Sequence, residues 1–125
     1  MDTFRLHGDY VTLPLSGSPS GDPEISSPID ESITLKNKAI GLYELTTDAV
    51  TAVGLCGLAG AHVVIVKTVG GKAKLRLTSA DGAVQSVPVD SFFGVISQSV
   101  PFTALDLTRV TGVTTTVKVF LGERA

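Results

Sequence analysis

From residue 72 to residue 78 polar and apolar side chains alternate without a fault. Lys72, Lys74, Arg76 and Thr78 take one parity, and Ala73, Leu75 and Leu77 the other. A period of two is the signature of a strand with one buried and one solvated face. Asp81-Gly82 follows, a pair that tolerates positive φ, and residues 84–89 return with further β-formers. This predicts an antiparallel hairpin. An isolated hairpin is marginal in water, so its apolar face needs a second layer.

The rest of the chain offers more strands at intervals of roughly 8–12 residues, separated by Gly, Asp, Ser and Pro. Residues 32–36, 39–45, 62–68, 92–97, 102–110 and 114–121 all fit the pattern. Val63-Val64-Ile65-Val66 is a β-branched run of the kind buried on both faces. In 114–121, Val117, Val119 and Leu121 share one side, and Thr114, Thr116 and Lys118 the other. Pro88 and Pro101 fall at strand ends. Only 46–58 could hold a helix. Thr46 or Thr47 would cap it and Asp48 would favour its N-terminus, giving two turns over 46–53 before Gly54. The expected fold is all-β: a single-domain antiparallel β-sandwich, with the jelly roll as one form of it, and at most one short helix. The expected core is Ile65, Leu75, Leu77, Val87, Leu105, Leu107, Val117 and Val119.

Residues 1–31 read differently from 32–125. Short strands at 4–7 and 10–13 flank Gly8-Asp9 as a turn, and from Pro14 to Ser32 four prolines sit among six serines and two glycines. Prolines at that spacing exclude a helix and a central strand. We therefore divide the chain into an extended, Pro/Ser-rich N-terminal arm, 1–31, and a sandwich domain, 32–125. An arm with so little to pack against itself is expected to lie on another surface, a neighbouring subunit first and the flank of its own domain as the alternative.

Composition points the same way. Charged residues make up 18% of the chain, against a usual ~25%, and mean hydropathy is +0.35. There is no tryptophan, and aromatics are 6%. A small domain so poor in charge exposes apolar surface unless something covers it, which points to oligomerisation or docking. A net charge of −2 argues against nucleic acid as partner. The one cationic concentration, Lys67, Lys72, Lys74 and Arg76, reads as a solvated hairpin edge. Residues 1–9 lack the apolar run of a signal peptide. The 18-residue uncharged run 49–66 carries three glycines and breaks into two patterns, so a membrane helix is not expected.

Chemistry is hard to find. The lone Cys56 excludes an intrachain disulfide and a Cys-rich zinc site. It sits among apolar neighbours with no cation to lower its pKa, so it reads as a small core residue. His7 and His62 lack a second ligand at metal spacing. Gly54, Gly57 and Gly60 are spaced GxxGxxG with no lysine and lead into a strand, which fits no phosphate loop and suggests a close backbone crossing. Asp81 reads as a turn former, Asp90 as a strand-end residue and Asp106 as a cross-strand partner for a lysine. Sugar-binding modules stack their ligands on exposed aromatics, and here only Tyr10 and Tyr43 join five phenylalanines. No catalytic, cofactor-binding or metal-binding residue is assigned, no cofactor is expected, and an enzyme is not expected.

The stretch from Val63 to Leu121 resembles small virion proteins of tailed bacteriophages. The matching features are Lys74-Leu75-Arg76-Leu77-Thr78-Ser79-Ala80-Asp81-Gly82, Val87-Pro88-Val89-Asp90, and 96–107 broken at Pro101. After them come Thr108-Arg109-Val110-Thr111-Gly112-Val113 and Thr115-Thr116-Val117-Lys118-Val119-Phe120-Leu121. The resemblance covers about half the chain and implies a virion location, with assembly in the host bacterial cytoplasm. It also implies a capsid decoration role, and partners that are copies of itself, a trimer first, and a major capsid or other virion protein. Nucleic acid and membrane are not implied. Alternative expectations are a head–tail connector or tail accessory subunit, or a receptor- or glycan-binding module at the tip of a fibre or spike.

Overall fold

The computed structural model describes residues 2–12 and 25–125. They form nine strands and no helix: β1 (Asp2–Thr12), β2 (Ile25–Leu45), β3 (Thr51–Val53), β4 (Val63–Val69), β5 (Ala73–Ser79), β6 (Val84–Val89), β7 (Phe92–Ile96), β8 (Phe102–Arg109) and β9 (Thr115–Arg124). The order is β1-β2-β9-β4-β7 in one sheet and β3-β8-β5-β6 in the other. Every pairing is antiparallel.

The last eight strands pair as nested hairpins. The predicted β5–β6 hairpin is innermost, then β4 with β7, β3 with β8, and β2 with β9 outermost. One long hairpin rolled upon itself in this way is the jelly roll, an all-β solution that stacks two sheets over one core. The β5–β6 turn is as expected. Gly82 has φ 91°, and the Ala83 N–H donates to Asp81 Oδ1 at 3.1 Å.

The alternation read from 72–78 holds. Ala73, Leu75 and Leu77 are buried against Leu105, Leu107, Val117, Val119 and Leu121, with Val64 and Val66 completing the layer. Two of the expected core residues need correction. Val87 is only half-buried, near the outer edge of the four-stranded sheet. Ile65 points away from the core, because its neighbours Val64 and Val66 take the inward parity.

The 46–53 helix does not form. That stretch is a bend followed by β3, and Asp48 instead accepts from Arg109 Nε at 3.0 Å and from the Gly112 N–H at 3.2 Å. A carboxylate satisfied by another loop has no need of a helix N-terminus.

The N-terminal region differs most. Gly8 and Asp9 are not a turn; they lie within β1, in register with Ile29 and Pro28. β2 runs without interruption through residue 32, so the boundary at 31/32 falls inside a strand. Residues 25–35 pair with β1, and 35–45 pair with β9. Pro28 is tolerated because each strand of a two-stranded ribbon has an open edge. Much of the Pro/Ser-rich stretch, including Pro14, Pro19 and Pro23, lies outside the described residues.

A β-bulge at Lys36 joins the two halves of β2. An extra residue inverts side-chain parity. Beyond it Ala39 and Tyr43 face the core, whereas before it Ile33 and Leu35 face the opposite side of the sheet. There they pack with Phe4 against Val63, Ile65, Ile96 and Phe120. Phe4 and Phe120 stack at 5.7 Å between centroids. Gly122 makes the crossing possible, since a Cβ there would lie 2.9 Å from both Leu35 methyls. The ribbon base thus crosses the end of the five-stranded sheet as far as Gln98, whose Nε2 donates to the Ser32 carbonyl at 3.3 Å.

Glu123 ties this junction. Its side chain is 7% exposed, 3.2 Å from Lys36 Nζ, and it accepts from Asn37 Nδ2 at 3.3 Å. Burial alone would raise its pKa. The hydrogen bonds from Asn37 and Lys36, the Lys36 charge and the Ala59 N–H outweigh that and hold the carboxyl below the usual range.

Candidate interaction surface

Each strand of the five-stranded sheet sends every second residue outward, and the register aligns these residues in rungs. One rung is Ile40, Phe120, Ile65 and Gly94; the next is Leu42, Lys118, Lys67 and Phe92. Ile40 is 69% exposed, Leu42 67%, Val69 61% and Phe92 59%. At Gly94 a Cβ would meet Ile65 Cδ1 at 3.0 Å and the Phe92 ring at 3.3 Å, so both side chains lean over this glycine. Beside the ribbon base, then, lies a contiguous outer face of branched and aromatic residues. Single exposed apolar residues are ordinary, whereas a contiguous set marks a contact surface.

Charge on this face is one-sided at its centre. Lys67 and Lys118 stand directly opposite one another on β4 and β9, and like charges so placed are destabilising. Among the described residues no carboxylate lies within ion-pair distance of either. Their aliphatic stems extend the apolar surface while the ammonium groups stay in water.

The outer face of the four-stranded sheet is built otherwise. Lys74, Arg76 and Thr78 stand beside Thr108, Asp106 and Ala104. Arg76 neutralises Asp106, with Nε 3.0 Å from Oδ2, so the cross-strand partner of Asp106 is an arginine where a lysine was expected. The cationic cluster of the sequence is divided: Lys67 lies on one sheet's outer face, and Lys74 and Arg76 on the other's. A cleft of about 300 Å³ on this outer face is lined by Lys72, Lys74, Ser86, Pro88, Thr108 and Arg109, among others, with no carboxylate, imidazole or thiol.

The residues weighed for chemistry are scattered. The His7 backbone is in register with Asp30; its side chain, like that of Tyr10, lies outside the described residues. His62 Nδ1 accepts from the Arg124 N–H at 3.1 Å, and desolvation, followed by the Arg124 charge, lowers its pKa. Cys56 is exposed, which corrects the buried reading. It sits in a turn at φ 53° next to Gly57 at φ 87°, a tight bend that turns the thiol outward. Of the three glycines near it, Gly60 fits the close-crossing reading, since a Cβ would lie 2.8 Å from Pro101. Tyr43 is half-buried, and its hydroxyl accepts from the Gly54 N–H at 3.2 Å. Asp90 lies 3.8 Å from Lys72 at the surface. Among the described residues no three His, Cys, Asp or Glu side chains gather as a metal site, and no helix is long and apolar enough to cross a membrane.

Sequence reasoning named none of the exposed face. The signal was present: in Ile40-Gly41-Leu42-Tyr43 and Val117-Lys118-Val119-Phe120-Leu121 apolar residues occupy both parities. A strand solvated on one face has no physical reason to carry Ile40, Leu42 and Phe120. Compared with known proteins, the chain matches no family model, no curated protein and no solved structure.

Proposed function

We propose that this chain is a non-enzymatic structural subunit of a phage particle, of the capsid decoration type, that binds copies of itself and a shell protein. The observation that carries the assembly role is the open outer face of the five-stranded sheet, where Ile40, Leu42, Val69 and Phe92 are each more than half exposed. Surface of that kind is stabilised by burial against another protein. The phage assignment rests on the resemblance of residues 63–121 to tailed-phage virion proteins. The jelly roll recurs in viral capsid domains and in lectins, which is compatible with that assignment but does not select it. Many copies, each adding a modest contact, would reinforce a shell collectively.

The test is a copy count on gradient-purified particles by quantitative mass spectrometry against the major shell protein. A ratio near one copy per shell subunit supports decoration. About a dozen copies or fewer per particle would assign the chain to a ring at the connector or tail. Absence from the particle overturns the proposal.

A further inference from the structure

The edge of a sheet exposes unpaired main-chain groups, and proteins commonly blunt such edges with short strands, proline, charge or bulges. β3, at one edge of the four-stranded sheet, is three residues long. β6, at the other, carries Pro88. β7, the edge of the five-stranded sheet beyond β4, has none of these devices except modest length. Residues 91–100 contain no proline and no charged side chain, and the β4–β7 register runs without a bulge.

The register also fixes which groups are open. The Ser97 N–H donates to the His62 carbonyl at 2.7 Å, and the Thr68 N–H to the Ser91 carbonyl at 3.0 Å. Hydrogen-bonded and non-hydrogen-bonded pairs alternate along an antiparallel ladder. Between those two bonds the bonded pairs are therefore Val64 with Val95 and Val66 with Phe93. Phe92, Gly94 and Ile96 turn their N–H and C=O groups away from β4, toward the open edge. At β6 the Ser79 N–H on the Ala83 carbonyl, at 2.8 Å, sets the same alternation. It turns Pro88 to that sheet's open edge, where a proline has no N–H to offer.

We infer that β7 pairs antiparallel with β7 of a second copy across a two-fold axis at Gly94, joining two five-stranded sheets into one. This deepens the proposed function by naming a contact between copies, and makes that contact two-fold where the resemblance implied a trimer. Centred on Gly94, the edge is complementary to itself. Gly94 faces its own counterpart and each Phe92 faces the other copy's Ile96, so every open N–H meets an open C=O. Phe92 and Ile96 share the outer parity, and an aromatic opposite a β-branched residue is a favourable cross-strand pair. Gly94, over which Phe92 and Ile65 lean, sets no side chain at the axis. Lys67 and Lys118 stand behind Phe92 in its rung, whereas Val63 and Gly122 stand behind Ile96. The lysine pairs of the two copies therefore do not face each other. The two open outer faces become one continuous surface, left free for the shell protein.

The experiment uses the full chain carrying Cys56→Ser, which removes the exposed thiol. Phe92→Cys and Ile96→Cys are made singly in that background, and circular dichroism verifies the parent's β content. In this register position 92 of one copy lies about 5.5 Å from position 96 of the other, Cα to Cα, within disulfide reach. Like positions lie about 13 Å apart, outside it. Mild oxidation should cross-link a mixture of the two variants and neither one alone. In sedimentation velocity the parent should pass from the 12.9 kDa monomer to a dimer as concentration rises. Gly94→Lys and Gly94→Glu each set like charges against each other at the axis. Each alone should remain monomeric, and their mixture should recover the dimer.

A parent that stays monomeric up to about 1 mM would overturn the inference. So would cross-linking of either cysteine variant alone as readily as the mixture, or a Gly94→Lys chain that dimerises like the parent. Particles that carry the chain at shell stoichiometry, with a monomeric parent in solution, refute the edge pairing alone. Register-specific cross-linking with no chain on the particle refutes the phage role alone.

Discussion

The ribbon crossing depends on one absent side chain, and that dependence can be measured. Gly122 lies beneath Leu35, with a Cβ position 2.9 Å from both leucine methyls and 3.3 Å from Val63 Cβ. In Gly122→Ala the new methyl displaces Leu35, and Val63, held in the strand backbone, yields little. Overpacking of this kind costs about 1–3 kcal/mol. Replacing glycine in a strand returns about 0.5–1 kcal/mol through the unfolded chain. The net expectation is a loss of about 1 kcal/mol. Leu35→Ala removes a side chain only 3% exposed and should cost about 2–4 kcal/mol in transfer and cavity terms. In that background the methyl at 122 enters vacated space, so Gly122→Ala should be neutral or stabilising by up to about 1 kcal/mol. Urea unfolding of the four proteins should thus give a coupling of roughly 1.5 kcal/mol. Additivity within about 0.5 kcal/mol would refute the placement of Leu35 over Gly122, and with it the bulge-driven crossing.

Three further outcomes are expected. Leu75→Ala, at a fully buried site of the inner layer, should lower urea-unfolding stability by about 2–5 kcal/mol; a loss under ~1 kcal/mol would place Leu75 outside the core. Glu123 has a folded pKa below its ordinary value near 4.5, so its contribution is present above that pH and fades as pH falls through the lower folded value. Glu123→Gln should therefore be less stable than the parent at neutral pH, with the difference shrinking below about pH 4.5 in acid-dependent melts; a constant difference refutes the assignment. Cys56 is exposed, so a thiol reagent should titrate one equivalent in the native protein at the rate seen in urea, whereas labelling only after unfolding would contradict the turn.

What the sequence makes legible follows from where one rule governs. Along 72–78 burial alone decides residue type, so period two is clean and the inward set is read without error. Where a second packing surface intrudes, the rule gives mixed signals. The central-core expectation for Ile65 comes from a run, Val63–Val66, that is apolar on both parities. That reading is right about two-sided burial and silent about which side is the core. Gly8-Asp9 and Pro28 carry turn and breaker chemistry that a two-stranded ribbon tolerates, because its outer hydrogen-bonding edges are open. The bulge at Lys36 has no local signature. Its evidence is the partnership of Lys36 and Asn37 with Glu123, 86 positions from Asn37, which no window of sequence spans.

The excess hydropathy now has a location. On the four-stranded sheet polar residues fill the outward parity of β5, and Arg76 and Asp106 neutralise each other there. On the five-stranded sheet β2, β4, β7 and β9 all place apolar residues outward, and the chain's own ribbon base covers only the end nearest Gly122. Had the mean hydropathy reflected nothing but a dense core, Ile40, Leu42 and Phe92 would lie inside; each is more than half exposed. Had it reflected a diffuse uncharged surface, these residues would be dispersed, yet the strand register places them in adjacent rungs. A face of this composition, covered by its own chain at one end only and carrying the facing pair Lys67 and Lys118 where the cover stops, is the kind of contiguous apolar surface that burial against another protein stabilises.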